Sequence, residues 1–166
     1  VGNYRMPSPV GRRCLVNIGG PLAVITRMGL VPIQEAVSGL ALDILSIGNY
    51  GKAGPSIKTD IEANSDVHSW HAVFHEGRVI LNAPITETTS RQWVYNVLSG
   101  TWTSWTGINT HTFCVLSTSA GFDLYFGGEA DGKVYKRYGT TDNGQAITVK
   151  SKGAFVVPAG GKQIKA

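Results

Sequence analysis

Between Trp93 and Tyr138 the chain repeats one pattern. A short aromatic strand meets a Gly-bearing turn and returns as a second apolar or aromatic strand. Trp93-Val94-Tyr95-Asn96-Val97 meets Ser99-Gly100 and returns as Thr101-Trp102-Thr103-Ser104-Trp105. Phe122-Asp123-Leu124-Tyr125-Phe126-Gly127 meets Asp131-Gly132 and returns through Lys133-Val134-Tyr135. Aromatic and β-branched side chains suit a pleated, half-buried surface, and Gly, Asp and Asn tolerate the backbone of tight turns. The pattern therefore predicts small antiparallel sheets built from hairpins, rather than long helices.

At 166 residues the chain can bury one core or two small ones. Charged residues are 16% and hydrophobic residues 42%, a globular balance that excludes a disordered chain. The formal net charge is +4, and its Lys and Arg are scattered. The densest group is Lys150, Lys152, Lys162 and Lys165 near the C-terminus. Without clustering on one face this reads as ordinary solvation rather than a nucleic-acid footprint. The longest apolar run, Cys14 to Ile47, is interrupted by Pro21, Arg27, Pro32, Glu35 and Asp43, so it does not insert in a membrane. The start at Val1 without a signal-like segment and the ending Gly-Gly-Lys-Gln-Ile-Lys-Ala lead us to expect a piece of a longer protein.

Residues 1–33 read as a lead-in and a partial blade, with a hairpin from Pro21–Thr26 through Arg27-Met28-Gly29 to Leu30–Ile33. Residues 34–66 break the strand pattern and read as a partly helical insertion. Val37, Leu40, Ile44 and Ile47 would share one face of a short helix, and Ser56 would cap a second helical turn or two. Residues 67–107 predict a four-stranded sheet, with hairpins at Glu76-Gly77 and Ser99-Gly100 and a polar loop at 85–91. Residues 108–152 predict a second such sheet, whose strands begin at Thr110, Phe122, Gly132 and Ala146. Residues 153–166 read as a connection to missing sequence. The fold class expected is all-β: antiparallel four-stranded sheets repeating every ~40–45 residues as propeller blades. A sandwich or barrel with one long insertion is the alternative.

Few residues invite catalysis. His71 and His75 would lie on one strand face ~13 Å apart, too far to share an ion even with His68 and Glu76 nearby. Asp123, Glu129, Asp131 and Asp142 do not match a calcium loop, and Asp131-Gly132 and Asp142-Asn143-Gly144 read as hairpin turns. The Gly19-Gly20 and Gly127-Gly128 pairs are not phosphate loops, and no Ser sits in G-x-S-x-G. Ser99-Gly100-Thr101-Trp102 lacks the Asp and spacing of a sialidase box. No catalytic, cofactor-binding or metal-binding residue is expected. Trp70, Trp93, Trp102 and Trp105 are core, or a stacking platform for sugars or bases. Trp102 and Trp105 face opposite sides of their strand. For a ligand-stacking surface, Trp105 with Asn109 is the best pair. Cys14 and Cys114 each sit in an apolar run and read as buried reduced thiols, with a disulfide as the alternative.

Tyr95-Asn96 with Trp102 resembles part of a kelch blade, although the double glycine of that blade is missing at Asn82-Ala83. A closer resemblance covers about residues 70–166. It rests on Arg78-Val-Ile-Leu-Asn-Ala-Pro84, the Trp93–Trp102 hairpin, Leu124-Tyr-Phe-Gly127, Asp131-Gly-Lys-Val-Tyr135 and Thr141-Asp-Asn-Gly144, in that order. Together these, with hairpin Leu22–Ile33, resemble the tail-nozzle proteins of short-tailed bacteriophages, also called packaged-DNA stabilisation or tail-accessory proteins. The chain is much shorter than a whole subunit of that family. The resemblance implies a β-propeller-bearing structural virion protein of the phage tail, made in the host cytoplasm, without enzymatic activity or cofactor. Its partners would be its own copies in a hexameric ring, the adaptor or head-to-tail connector below the portal, a tail fibre or spike, and packaged double-stranded DNA in the channel. Residues 34–66 and 85–91 are the expected subunit or fibre contacts. A carbohydrate-binding propeller module for receptor recognition is the alternative.

Overall fold

The computed structural model describes residues 7–27, 29–34, 54–119, 121–137, 141–142 and 145–146. The strands are β1 (Leu15–Asn17), β2 (Leu22–Thr26), β3 (Gly29–Pro32), β4 (His71–His75), β5 (Arg78–Pro84), β6 (Ser90–Asn96), β7 (Thr101–Trp105), β8 (Phe113–Thr118), β9 (Gly121–Gly127), β10 (Val134–Lys136), β11 (Thr141–Asp142) and β12 (Gln145–Ala146). One helix, α1 (Gly54–Asn64), stands before β4. The fold is mostly β. The strands form antiparallel meanders β1-β2-β3, β4-β5-β6-β7 and β8-β9-β10, and a separate two-stranded ribbon β11-β12.

The turns explain the middle sheet. His75 pairs with Arg78 across Glu76 and Gly77, whose φ angles are 48° and 70°. Positive φ at both central residues gives a hairpin turn whose twist matches its strands. At the β6–β7 turn the Asn96 side chain accepts the N–H groups of Leu98 and Ser99 at 3.0 and 3.1 Å, and Gly100 takes φ 66°. Directly opposed residues of antiparallel strands share a face. Phe74, Val79, Tyr95 and Trp102 make one cross-strand row, and Ala72, Leu81 and Trp93 belong to the next. These rows pack on Val16, Ala23, Ile25 and Leu30 of the first sheet and on Ile57 and Ile61 of α1. On the other face Val73, Ile80, Val94 and Trp105 pack on Phe113, Val115, Leu124 and Phe126 of the third sheet. The middle sheet is thus covered on both sides, which is why β5 is buried almost end to end.

Helix α1 is tied in rather than laid on. Ile57 and Ile61, one turn apart, are fully buried. Asp60 accepts Trp93 Nε1–H at 2.8 Å and pairs with Arg91 at 3.2 Å. The Trp70 indole donates to the Asn64 carbonyl at 2.8 Å, satisfying one of the orphan acceptors at the helix end. The lead-in also takes part. Val10 N donates to Ile25 O at 3.1 Å, and Arg13 forms a bridge to His71, joining the first and middle sheets.

Several expectations change. Only the middle sheet has four strands among the described residues. The strand expected from Ala146 begins as β12, but it pairs with β11 in its own ribbon and does not extend the third sheet. Helix α1 begins at Gly54, so Ser56 lies inside it and is not its cap; Pro55, with its preset φ, opens the first turn. The helix expected over Val37–Ile47 lies outside the described residues, as do 147–166. The loop expected at 85–91 is shorter, because Ser90 and Arg91 pair with Pro84 and Ala83. Cys114 is exposed, not buried, and both cysteines are free. Alternation along β8 turns Phe113 and Val115 inward and Cys114 outward.

Ile61→Ala should lower unfolding stability by about 2–5 kcal/mol, because a fully buried side chain leaves a cavity. Lys58→Ala, at an exposed pair with Glu62, should change it by less than about 0.5 kcal/mol. Urea unfolding of both variants checks the contrast.

Candidate functional site

The face of the middle sheet that meets the third sheet is built in three cross-strand rows. The central row, Val73, Ile80, Val94 and Thr103, is mainly apolar. The row at one end is His71, Asn82, Gln92 and Trp105, and the row at the other is His75, Arg78, Asn96 and Thr101. Polar side chains therefore sit at both ends of an apolar seam.

At the first end His71, Asn82 and Gln92 are buried, and each must find partners or destabilise the fold. Asn82 Nδ2 donates to the carbonyls of Ser69 and Thr110, both at 3.1 Å, and its Oδ1 accepts Gln92 Nε2–H at 2.9 Å. Gln92 Nε2 also donates to Ile108 O at 2.9 Å. His71 Nε2 accepts the Phe113 N–H at 2.8 Å, so its proton is on Nδ1, which donates to Ser69 O at 2.9 Å. Ser90 Oγ lies 2.9 Å from Ile108 O and accepts Thr110 N–H at 3.1 Å. The strap from Trp105 to Phe113 is thereby held by side chains of β4, β5 and β6. Burial lowers the His71 pKa below the usual imidazole range; the Ser69 carbonyl opposes this and the Arg13 charge adds to it.

The strap and the Ser69 loop place three groups together. Ser69 has φ 85°, in the left-handed region that few side chains other than Gly adopt. Its Oγ lies 2.5 Å from His111 Nδ1. His111 Nε2 contacts Glu129 Oε2. The Glu129 backbone N–H donates to Asn109 O at 3.1 Å, which fixes the β9–β10 turn against the strap. A shallow groove lined by Pro84, Thr86, Thr88, Thr89, His111 and Glu129 adjoins the cluster.

At the second end a groove of about 300 Å³ is lined by Arg78, Asn96, Thr101, Thr103, Trp105 and Arg137, with Val94 at its floor. The Arg137 guanidinium lies 4.8 Å from the centroid of the Trp105 ring. Glu76 is 3.5 Å from both Arg78 and Arg137 and partly offsets the two cations.

Trp102 and Trp105 do face opposite sides, and both are packed: Trp102 on Tyr95, Trp105 on the third sheet. Asn109 does not line the Trp105 groove; its Oδ1 instead accepts Ser90 N–H at 3.3 Å. Across the strands Trp105 stands opposite Gln92, its ring lies under Arg137, and the groove it lines also holds Arg78, Asn96, Thr101 and Thr103. His71 and His75 share a face, and each binds the third sheet: His71 through Phe113 N and His75 through Nε2–H to Phe122 O at 2.9 Å. Ser69, His111 and Glu129 are brought together by the fold from distant positions that no spacing rule connects. One signal pointed to this end: Asn82 interrupts the apolar run of β5, and the hairpin register sets Gln92 opposite it.

Asn82→Ala should cost about 3 kcal/mol, because it strips donors from two carbonyls and an acceptor from Gln92 in a buried site. A urea midpoint within error of wild type would show that water replaces the amide. The depressed His71 pKa also sets a pH dependence. As pH falls through about 6.5 the unfolded chain takes up a proton that the native state resists. Stability is thus fully present above that pH and declines below it. The urea midpoint should be lower at pH 5.5 than at pH 7.5, and His71→Gln should flatten the difference.

Comparison of the chain with protein-family models, curated proteins and solved structures finds no match.

Proposed function

We propose that the chain is part of a structural virion protein, a tail-nozzle or tail-accessory subunit of a short-tailed phage, with its sheets stacked as propeller blades. The observation that carries the reading is the two-sided burial of the middle sheet by the meanders before and after it in sequence. Sheets that bury both faces against chain neighbours expose only edges and turns, which suits a rigid element in a ring. The stack also ends in apolar side chains: Leu15 and Leu22 on the first sheet are about half exposed, as is Leu116 on the third, and Val134 is largely exposed. In this reading a hexameric ring prolongs the channel below the portal and adaptor, retains packaged DNA and docks fibres or spikes. The mechanism is mechanical, and the contacts come from turns. Of those expected, 34–66 offers only the outer face of α1 in its described part, since Ile57 and Ile61 are buried; the β5–β6 turn 85–89 is open.

Cryo-electron microscopy of particles that contain the full parent chain tests this directly. A six-fold ring coaxial with a portal is expected; absence of the chain from particles would overturn the reading. Deletion of Thr86–Thr88, which spares the strand residues Ser90 and Arg91, should lower assembly titre at least about tenfold while leaving the unfolding midpoint unchanged.

A second reading, a carbohydrate-binding module, draws on one specific observation. The groove that holds Trp105 also presents Arg78, Asn96 and Arg137, a stacking surface with cations and an amide. An acidic glycan fits that chemistry. Binding on a glycan array that is lost in Trp105→Ala would favour it over the mechanical role, and an array without hits would set it aside.

A further inference from the structure

We propose that Ser69, His111 and Glu129 form a nucleophilic triad that hydrolyses small polar esters. The contacts fix the protonation pattern such a triad needs. Glu129 accepts from His111 Nε2–H, which leaves the Nδ1 lone pair facing the Ser69 hydroxyl at 2.5 Å. The nucleophile, the base and the group that orients the base are then in one line. The His111 side chain is 47% exposed, so a substrate reaches it.

The backbone argues in the same direction. A serine at φ 85° is strained and persists only where its surroundings hold it. Here two buried side chains do so, because Asn82 and His71 both donate to the Ser69 carbonyl. Asn82 also holds the Thr110 carbonyl, next to His111. Asn82 is therefore a positioning residue for both halves of the pair. The adjoining groove is shallow and rich in threonine hydroxyls, which suits a short acyl group on a polar alcohol, such as an O-acetylated sugar, rather than a long acyl chain.

The chemistry balances on these groups. Ser69 Oγ bonds to the ester carbonyl carbon while its proton moves to His111 Nδ1, and Glu129 stabilises the imidazolium. Collapse breaks the carbon–alkoxy bond, and the Nδ1 proton leaves with the alcohol. Water then attacks the acyl carbon, giving a proton to Nδ1; the carbon–Oγ bond breaks, Nδ1 returns that proton to Ser69 Oγ, and the carboxylic acid leaves. General-base assistance of this kind is worth about 10²–10⁴-fold, so the expected turnover is slow.

The test uses the full chain with a fluorophosphonate probe, peptide mapping of the adduct, and hydrolysis of p-nitrophenyl acetate. The expected adduct is on Ser69. It should disappear in Ser69→Ala, slow at least about 100-fold in His111→Gln and at least about tenfold in Glu129→Gln. Ser69→Gly keeps a residue suited to φ 85° and should fold with an unfolding midpoint no lower than wild type yet take no label and lose the esterase rate. No adduct on Ser69 in the folded chain, an adduct on other serines alone, or a labelling rate unchanged in His111→Gln would each overturn the proposal.

Discussion

A central strand of the middle sheet, β5, is covered on both faces, and the rest of the structure follows from that constraint. β5 must pair on both edges and pack on both surfaces, so its sequence runs Val79-Ile80-Leu81 without polar relief until Asn82. Its hairpin partners supply the aromatic rows, and the neighbouring meanders supply the covers. Full burial of one large aliphatic side chain contributes about 1.5–3 kcal/mol, and the described core holds many of them on both sides of this sheet. Helix α1 is recruited by the same demand, since Ile57 and Ile61 add to the apolar cover that β1, β2 and β3 provide on that side.

Polar groups inside such a sandwich are tolerated only when they are satisfied. His71, Asn82 and Gln92 meet that requirement by binding the crossing strap, so the link between the middle and third sheets is made of directional bonds as well as apolar contact. Directional bonds set position more sharply than packing does. Among the described residues three buried side-chain atoms have no hydrogen-bond partner: Gln92 Oε1 and His75 Nδ1 in the polar rows, and Trp102 Nε1 on the opposite face of the middle sheet.

Much of the architecture was legible in the sequence. Glu76-Gly77, Asn96 with Gly100, and Asp131-Gly132 announce their turns by residue type, and alternation then dictates which side chains point inward. The mostly β class and the middle meander follow from these. Other features were not legible because they depend on what lies across the fold. Cys114 looks apolar in sequence, yet its strand covers the middle sheet with Phe113 and Val115 alone. Ser56 has the right chemistry for a cap, but Gly54-Pro55 starts the helix earlier. Trp105 was expected beside Asn109, which is near in sequence; the groove it lines is instead shared with residues of β5 and β6 and with Arg137 after β10. Ser69, His111 and Glu129 belong to three different connections, and only the strap brings them into contact.

The two thiols differ in a way that reaches beyond packing. Cys14 is buried, and that burial raises its pKa, so little reactive thiolate is present there. Cys114 stands on the outward face of the third sheet. A maleimide dye or spin label added to the native chain will therefore report from one known point, without mutagenesis. That point lies on the surface a neighbouring copy would cover if the sheets continue as blades of a ring, so quenching or line broadening at this single atom would register assembly as it happens.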